Sequence, residues 1–167
     1  TAQGILNRSQ FTFASIALQA SIGPSLFFAG RTDAAMTALE QGLTEAVRCG
    51  GINSDLAALS GLPLGEILYE TNQLDRAAQL VRETLPYATE LGFVDQLRAG
   101  FITRARICRA RSDQAGAFRA LDQATTIAIE RRLDRLRFAV VEERIRLLIQ
   151  DGHPDLAARC LNEAGIT

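Results

Sequence analysis

The apolar residues of this chain recur with the spacing of an α-helix. Between residues 94 and 108 they fall at i, i+3, i+7, i+11 and i+14, which places them on one helical face. These residues are Val94, Leu97, Phe101, Ala105 and Cys108. No segment alternates apolar and polar positions with a period of two over the length of a strand. The pattern therefore predicts an all-α protein.

Turn-forming residues divide the chain into the predicted helices. Pro24 is expected to kink or end the first of them, because proline removes one backbone donor. Gly61-Leu62-Pro63 is expected to kink the third helix or to split it into two short segments. Asn53, Ser54 and Asp55 are suitable caps for its start. The predicted helices cover 13–28, 34–49, 53–70, 74–91, 94–108, 113–129, 133–149 and a short segment up to residue 164.

The turns recur at a nearly constant spacing. Gly30, Asn72, Ser112 and Gly152 follow one another at intervals of 42, 40 and 40 residues. Each is followed five residues later by an alanine, at Ala35, Ala77, Ala117 and Ala157. Four copies at one period are typical of a stacked array of repeats. We expect a single solenoid over residues 1–167, with two-helix repeats at approximately 13–51, 53–92, 93–132 and 133–166.

Small and large residues alternate between the two helices of a repeat. The alanines are predicted to mark the crossing of the two helices, where a larger side chain would overpack the contact. Four positions later come the apolar residues Leu39, Val81, Leu121 and Leu161. On the first helix of each repeat the facing position is small, at Gly23, Gly65 and Ala105. Ile145 breaks this rule in the last repeat.

Composition narrows the class of protein further. The chain is 47% apolar with a net charge of −1, which fits a soluble globular protein, and no apolar run of about 18 residues is apparent. Cys49, Cys108 and Cys160 are too widely spaced for a disulfide framework or a zinc site, so a reducing cytoplasm is the expected location. The chain begins without Met, and we interpret it as a piece of a longer protein.

The charge is unevenly distributed. All 18 basic residues are arginine, and residues 98–146 hold 12 of them against 6 acidic residues, a balance of +6. The rest of the chain carries 6 arginines against 13 acidic residues, a balance of −7. Such a region is either a surface for anions or an acidic partner, or simply a solvated face.

No catalytic constellation is recognisable. His153 lies in a Gly-His-Pro turn without a paired nucleophile, and the pair Glu142-Glu143 lies on a helix with Arg146 nearby. The phosphate-binding pattern Gly-x-x-x-x-Gly-Lys-Ser/Thr is absent, and the chain contains no lysine. We expect no enzymatic activity, no cofactor and no metal in this fragment.

The order of a small residue, an apolar residue, a turn and an alanine resembles the tetratricopeptide repeat. With its longer period and its residues 109–124, Arg-Ala-Arg-Ser-Asp-Gln-Ala-Gly-Ala-Phe-Arg-Ala-Leu-Asp-Gln-Ala, the chain resembles the MalT-like repeat region of large LuxR-family transcriptional activators. The resemblance implies a right-handed superhelix that receives an inducer or a regulatory protein. It also implies that nucleotide and DNA binding belong to other domains of the parent.

In tetratricopeptide-like repeats, ligands lie along the concave face. Transferring those positions to this chain gives an aromatic end and a basic end, suited to apolar anchors or sugars and to carboxylates or phosphates, respectively. The implied groove residues are Phe27, Phe28, Glu66, Tyr69, Glu70, Ile102, Arg106, Arg109, Glu142, Arg146 and Ile149.

Two features of these positions leave alternatives open. Phe27 and Tyr69 fit the core between repeats as well as a ligand platform. Arg106 and Arg146 share one repeat position, and we expect the two to lie about 10 Å apart. Arg104 and Arg144 share another that is usually apolar, so either the helix rotates them outward or the register shifts there.

Two functional hypotheses follow. The first is a non-catalytic effector-sensing and interaction region of a MalT-like, LuxR-family bacterial regulator, which binds a small molecule or a protein on the concave face and contacts the parent's other domains. The alternative is a generic repeat scaffold that binds an acidic peptide of a partner, with affinity that falls as salt rises. Self-association through the terminal repeats is a third, weaker hypothesis.

Overall fold

The protein folds into a row of helices joined by short turns. The computed structural model describes residues 2–91 and 93–164, with side chains described for 11–89 and 93–164. The helices in these ranges are α1 (Ala2–Phe28), α2 (Thr32–Gly50), α3 (Asp55–Glu70), α4 (Leu74–Leu91), α5 (Val94–Ala110), α6 (Gln114–Glu130), α7 (Asp134–Gln150) and α8 (Pro154–Glu163). The described residues form no strand, which confirms the all-α class. Residues 92, 165 and 166 of the predicted repeats lie outside the described ranges.

Helices α1 and α3 continue through their internal prolines. Pro24 does not end α1, and Pro63 does not split α3 into two segments, so these two alternatives were wrong. Each proline removes only one backbone donor. In α3 the residues on both sides of Pro63 are buried, from Ala57 to Gly65. Packing against neighbouring helices therefore keeps the helix continuous. At its start, Ser54 acts as the predicted cap, with Oγ accepting from the Ala57 N–H at 3.2 Å.

The turns within the four repeats share one backbone conformation. Gly30, Asn72, Ser112 and Gly152 all have a positive φ, at 75°, 60°, 61° and 78°. In each turn the N–H of the following residue donates to the carbonyl five residues earlier, at the end of the helix. The Gln73 N–H donates to the Leu68 carbonyl and the Asp113 N–H to the Cys108 carbonyl, both at 2.8 Å. The spacing read from the sequence therefore corresponds to a repeated structural turn.

The contacts between the two helices of a repeat follow the predicted alternation of size. The four repeated alanines are buried. A Cβ added to Gly23 would lie 2.4 Å from Leu39 Cγ, and one added to Gly65 would lie 2.8 Å from Val81 Cγ2. In the last repeat Leu161 is 41% exposed, so this contact is looser where Ile145 replaces the small residue.

The helices form two layers. The odd-numbered helices pack against one another in sequence, α1 on α3, α3 on α5 and α5 on α7. In the described part of the chain, no even-numbered helix packs against another even-numbered one. The odd helices are therefore the inner layer of a curved array and the even helices are the outer layer. This arrangement is that of a helical-repeat solenoid; its right-handed sense stays a prediction.

The first helix is unusually apolar. The 18 residues Phe11–Phe28 have a mean hydropathy of 1.4, which is enough by length and composition to cross a membrane. The window is not an uninterrupted apolar run, since it contains one threonine, one glutamine and three serines, and the sequence expectation counted only uninterrupted runs. In the structure this helix packs against α2 and α3, and 17% of the window is buried.

Candidate functional site

The inner layer carries a cavity between α1, α3 and α5. It has a volume of about 220 Å³ and is lined by Pro24, Phe27, Phe28, Pro63, Glu66, Ile67, Glu70, Arg98 and Arg106. A second cavity of about 470 Å³ adjoins it and shares Pro24, Phe28, Pro63, Glu66 and Arg98. We call the two together the inner groove. It extends across three consecutive inner helices, and α7 contributes Arg135 at its edge.

One wall of the inner groove is aromatic. Phe27 and Phe28, at the end of α1, have ring centroids 6.3 Å apart with an interplanar angle of 56°. Phe27 packs against the core beneath it, whereas Phe28 is 82% exposed. Phe28 thus offers an apolar surface that the described residues leave largely uncovered, next to polar groups that could orient a ligand.

The opposite wall consists of paired charges. Arg98 holds Glu66 with both terminal nitrogens, at 3.0 and 3.1 Å. Arg106 donates from Nη1 to Glu70 at 2.9 Å and from Nη2 to Glu143 at 3.0 Å, so it connects α3, α5 and α7. Burial by itself lowers the pKa of Arg106, but its hydrogen bond and attraction to Glu143, with Glu70 and Glu66 adding, raise that pKa above its ordinary value.

Glu143 lies beneath this wall and is only 3% exposed. Its carboxylate accepts hydrogen bonds from two arginines, Arg106 of α5 and Arg146 of α7. A buried carboxylate needs such partners because desolvation of an unpaired charge costs several kcal/mol. The pair of arginines therefore neutralises an internal charge and fixes α5 against α7.

The structure distributes the eleven groove residues inferred from the sequence over several locations. Glu70 lines the first cavity of the inner groove, whereas Glu142 and Ile149 are exposed and line neither cavity. Phe27, Phe28, Glu66 and Arg106 line the first cavity of the inner groove. Tyr69 packs against the core between α1 and α4, and Ile102 is 3% exposed, so both offer little surface to a ligand. Arg109 binds Asp151 and Arg146 binds Glu143. Their roles in binding stay predictions.

The arginine pairs of the two repeat positions behave differently. Arg106 and Arg146 come together on one carboxylate, that of Glu143. Arg104 and Arg144 instead reach the outer layer, where they bind Gln123 at 3.1 Å and Asp122 at 2.6 Å. Of the two alternatives for this second pair, the outward rotation of the side chains is the one observed.

Two residues of the groove were missed from the sequence. Arg98 was one of twelve arginines in its region, and only the structure shows its bidentate contact with Glu66. Glu143 could have been found from the repeat. It lies 40 residues after Thr103, at the same repeat position, and both residues are buried. A carboxylate at a buried repeat position requires a cation nearby.

The described residues contain no group of three or more His, Cys, Asp or Glu side chains that could hold a metal ion. The three cysteines are free thiols, and His153 precedes the first residue of α8. What the inner groove presents is an exposed aromatic surface beside three carboxylates and three guanidinium groups already paired with one another. This arrangement suits reversible binding.

Comparison with known proteins gives a partial match. The chain is 38% identical over 97 residues to the serine/threonine-protein kinase PknK of Mycobacterium tuberculosis, in strains H37Rv and CDC 1551 / Oshkosh. It matches PknK of Mycobacterium bovis to the same degree. The aligned residues are 58% of this chain and 9% of the kinase, so the chain spans only a small part of these relatives. No family model matches the chain, and no solved structure matches it.

Proposed function

We propose that this chain is a non-catalytic, effector-sensing and interaction region of a larger regulatory protein, and that its effector binds in the inner groove. The observation that carries the proposal is the exposed Phe28 beside the paired charges of Glu66, Arg98, Glu70 and Arg106. For the parent we keep the hypothesis of a MalT-like, LuxR-family regulator. The partial match to a kinase of which the chain covers 9% supports a long parent; the kinase activity is that of the relative.

The lining of the inner groove indicates what it would bind. The first cavity contains two arginines and two glutamates, which are paired with one another, so its charged wall is balanced. A ligand that depended on Arg106 alone would have to displace Glu70 or the buried Glu143. An aromatic or other apolar anchor with a few hydrogen-bonding groups fits this wall better than a simple anion.

The position of the groove suggests how binding would be transmitted. The groove touches α1, α3 and α5, and Arg106 links its wall to α7 through Glu143. A ligand that fits one relative placement of these helices better than another would shift the array toward that placement. The parent would then read the change through the domains that flank the repeat.

A partner's peptide is the second candidate, and the length of the inner groove favours it. The two adjoining cavities extend from Ala20 on α1 to Arg135 on α7, which would accommodate an extended segment with one apolar anchor at Phe28. Because the exposed charges at Asp95 and Arg135 lie in this part, binding of a charged peptide should weaken as salt rises. A small effector held at Phe28 should be much less salt-dependent.

The proposal can be tested by the thermal stability of the chain in the presence of sugars, aromatic acids, phosphorylated metabolites and acidic peptides. A ligand that binds only the folded chain adds about 2.7 kcal/mol at 100 times its dissociation constant. We expect Phe28→Ala to abolish the shift given by the best ligand. Phe11→Ala removes an equally exposed phenylalanine of the same helix that lines neither cavity, and it is the matched control. An equal shift in both variants would refute binding at this groove.

A further inference from the structure

A second groove lies on the other side of the array, between α4 and α5. It has a volume of about 490 Å³, within the range of small-molecule sites. Its floor consists of four buried apolar side chains, Val81, Leu85, Phe101 and Ile107. Its rim is exposed and polar, with Arg82, Arg104, Arg111 and Gln123. We call it the outer groove; Gln123 is the one lining residue from α6.

One repeat position that lines the outer groove is smaller in the second repeat than in its neighbours. Ala78 of α4 corresponds to Met36 in the first repeat and, 40 residues further on, to Phe118 in the third. In the third repeat the Phe118 ring lies 5.7 Å from the guanidinium carbon of Arg144. The second repeat has a methyl group in place of that ring. The corresponding groove of the first repeat has a volume of about 430 Å³, so the outer groove is distinguished by its lining rather than by its volume.

A second position gives the outer groove its charge. Where the first and third repeats have Glu40 and Asp122, the second has Arg82. In the third repeat Asp122 pairs with Arg144 at 2.6 Å. The corresponding Arg104 of the second repeat faces a groove that contains Arg82 instead, and it donates to the neutral Gln123 at 3.1 Å.

The positive charge of the remaining rim arginine is only weakly offset by its acidic partner. Arg111 contacts Asp75 at 2.6 Å, but the Asp75 side chain is 99% exposed, so solvent screens the pair strongly. Among the residues whose side chains the structure describes, no acidic one lines the outer groove. The rim therefore carries three arginines above an apolar floor, a combination that attracts an anion with an apolar body.

We propose that the outer groove binds an amphiphilic organic anion, with its apolar body on the floor and its carboxylate or phosphate head between Arg82 and Arg104. The planar guanidinium groups match either head group. The lining residues of α4 run from Ala78 to Thr89, about three turns or about 16 Å. This length suits a medium-chain aliphatic acid.

Cys108 provides a reporter inside the outer groove. It is half-buried and lines the cavity. Burial raises the pKa of its thiol, Asp113 raises that pKa further, and Arg104, Arg119 and Arg111 oppose the change. A ligand on the floor would cover the sulfur and slow its alkylation by iodoacetamide, whereas Cys49 is exposed and lies outside the lining.

The experiment is a titration of the chain with decanoate, followed by thermal stability and by the alkylation rate of Cys108 measured by mass spectrometry. We expect decanoate to raise the melting temperature and to slow alkylation of Cys108 at least fivefold, with no change at Cys49. Decanol, which has the same chain without the charge, should bind at least tenfold more weakly. Equal binding of both compounds, or unchanged alkylation of Cys108, would overturn the proposal.

The third repeat supplies variants that should fold. Ala78→Phe and Arg82→Asp introduce the side-chain types that occupy these positions at Phe118 and Asp122. Each should weaken decanoate binding at least tenfold, whereas Arg159→Asp, the same charge change at an exposed site on α8, should leave it unchanged. If Arg159→Asp weakened binding as much as Arg82→Asp, net charge rather than the outer groove would be responsible, and the proposal would be overturned. If an acidic amphipathic peptide bound the outer groove and decanoate did not, the proposal of a small anion would be wrong and a partner helix would be the ligand.

This inference is independent of the proposed effector site. The outer groove shares no lining residue with either cavity of the inner groove. Phe28→Ala should therefore leave decanoate binding intact, and Ala78→Phe should leave the inner-groove ligand unaffected. The two proposals can fail separately.

Discussion

The inner and outer layers of this array contain helices of similar length that are held in different ways. Each inner helix packs against the next one, and Arg106 joins three of them through Glu70 and Glu143. The outer helices pack only against inner helices, and where they approach each other a long side chain bridges the gap, as Arg76 does to Glu40 at 3.2 Å. A change in the inner layer should therefore spread along the array by direct contact, whereas a change in one outer helix should reach the next outer helix mainly through the inner layer.

The largest expected effect is at Glu143. Arg106→Met combined with Arg146→Met keeps apolar stems in place but leaves the buried carboxylate unpaired, and we expect a loss of about 3–5 kcal/mol in the free energy of unfolding, measured with urea. Adding Glu143→Met should recover most of that loss, because the whole buried network is then apolar. A triple variant as unstable as the double would show that the charges do not hold the inner layer.

The next effect concerns the junction of the two layers. Gly23→Ala would place a Cβ 2.4 Å from Leu39 Cγ, so overpacking should cost about 1–3 kcal/mol in urea unfolding. Leu39→Val removes part of the obstruction, and the two changes together should be less destabilising than the sum of the single ones. Strict additivity would contradict a steric origin.

A smaller effect is expected at the turn between α5 and α6. Ser112 has φ of 61°, a conformation that glycine adopts without the steric cost of a Cβ. Ser112→Gly should stabilise the chain by about 0.5–1 kcal/mol in thermal unfolding. Ser112→Ala keeps the Cβ and is the control; it should give no gain.

The smallest effects should come from the exposed ion pairs. Arg135 pairs with Asp95 at 3.0 Å between inner helices, and Arg76 pairs with Glu40 between outer helices. Both pairs are largely exposed, so Arg135→Ala and Arg76→Ala should each change stability by less than about 0.5 kcal/mol. If Arg135→Ala were far more costly than Arg76→Ala, membership of the inner layer would matter more than burial.

The fold was largely predictable because its determinants are local. The turns at Asn72 and Ser112 and the small residues at Gly23 and Gly65 repeat in the sequence, and each acts on a helix a few residues away or on the adjacent helix. The internal prolines were harder to interpret, since only tertiary packing decides whether a helix survives them.

The candidate site was predictable only in part, because it depends on contacts between repeats. Phe28 and Arg106 were chosen by their repeat positions, and both line the first cavity of the inner groove. The partner of Arg106 lies 37 residues away at Glu143, and that of Arg98 lies 32 residues away at Glu66. Which side chains meet across these separations depends on the offset between neighbouring helices and on side-chain conformation. Hydrophobic periodicity reports neither of them.

The wide spacing of the outer helices also determines how the array deforms. Since α4 and α6 do not pack together, the gap between them can widen or narrow without loss of close contacts, while the inner helices act as a hinge line of nearly fixed length. A molecule lodged beside Gln123 would act as a strut that resists closing of that gap. Small-angle scattering should then detect a change in radius of curvature on addition of the ligand. The curvature of the array would then be determined by what lies between its outer helices.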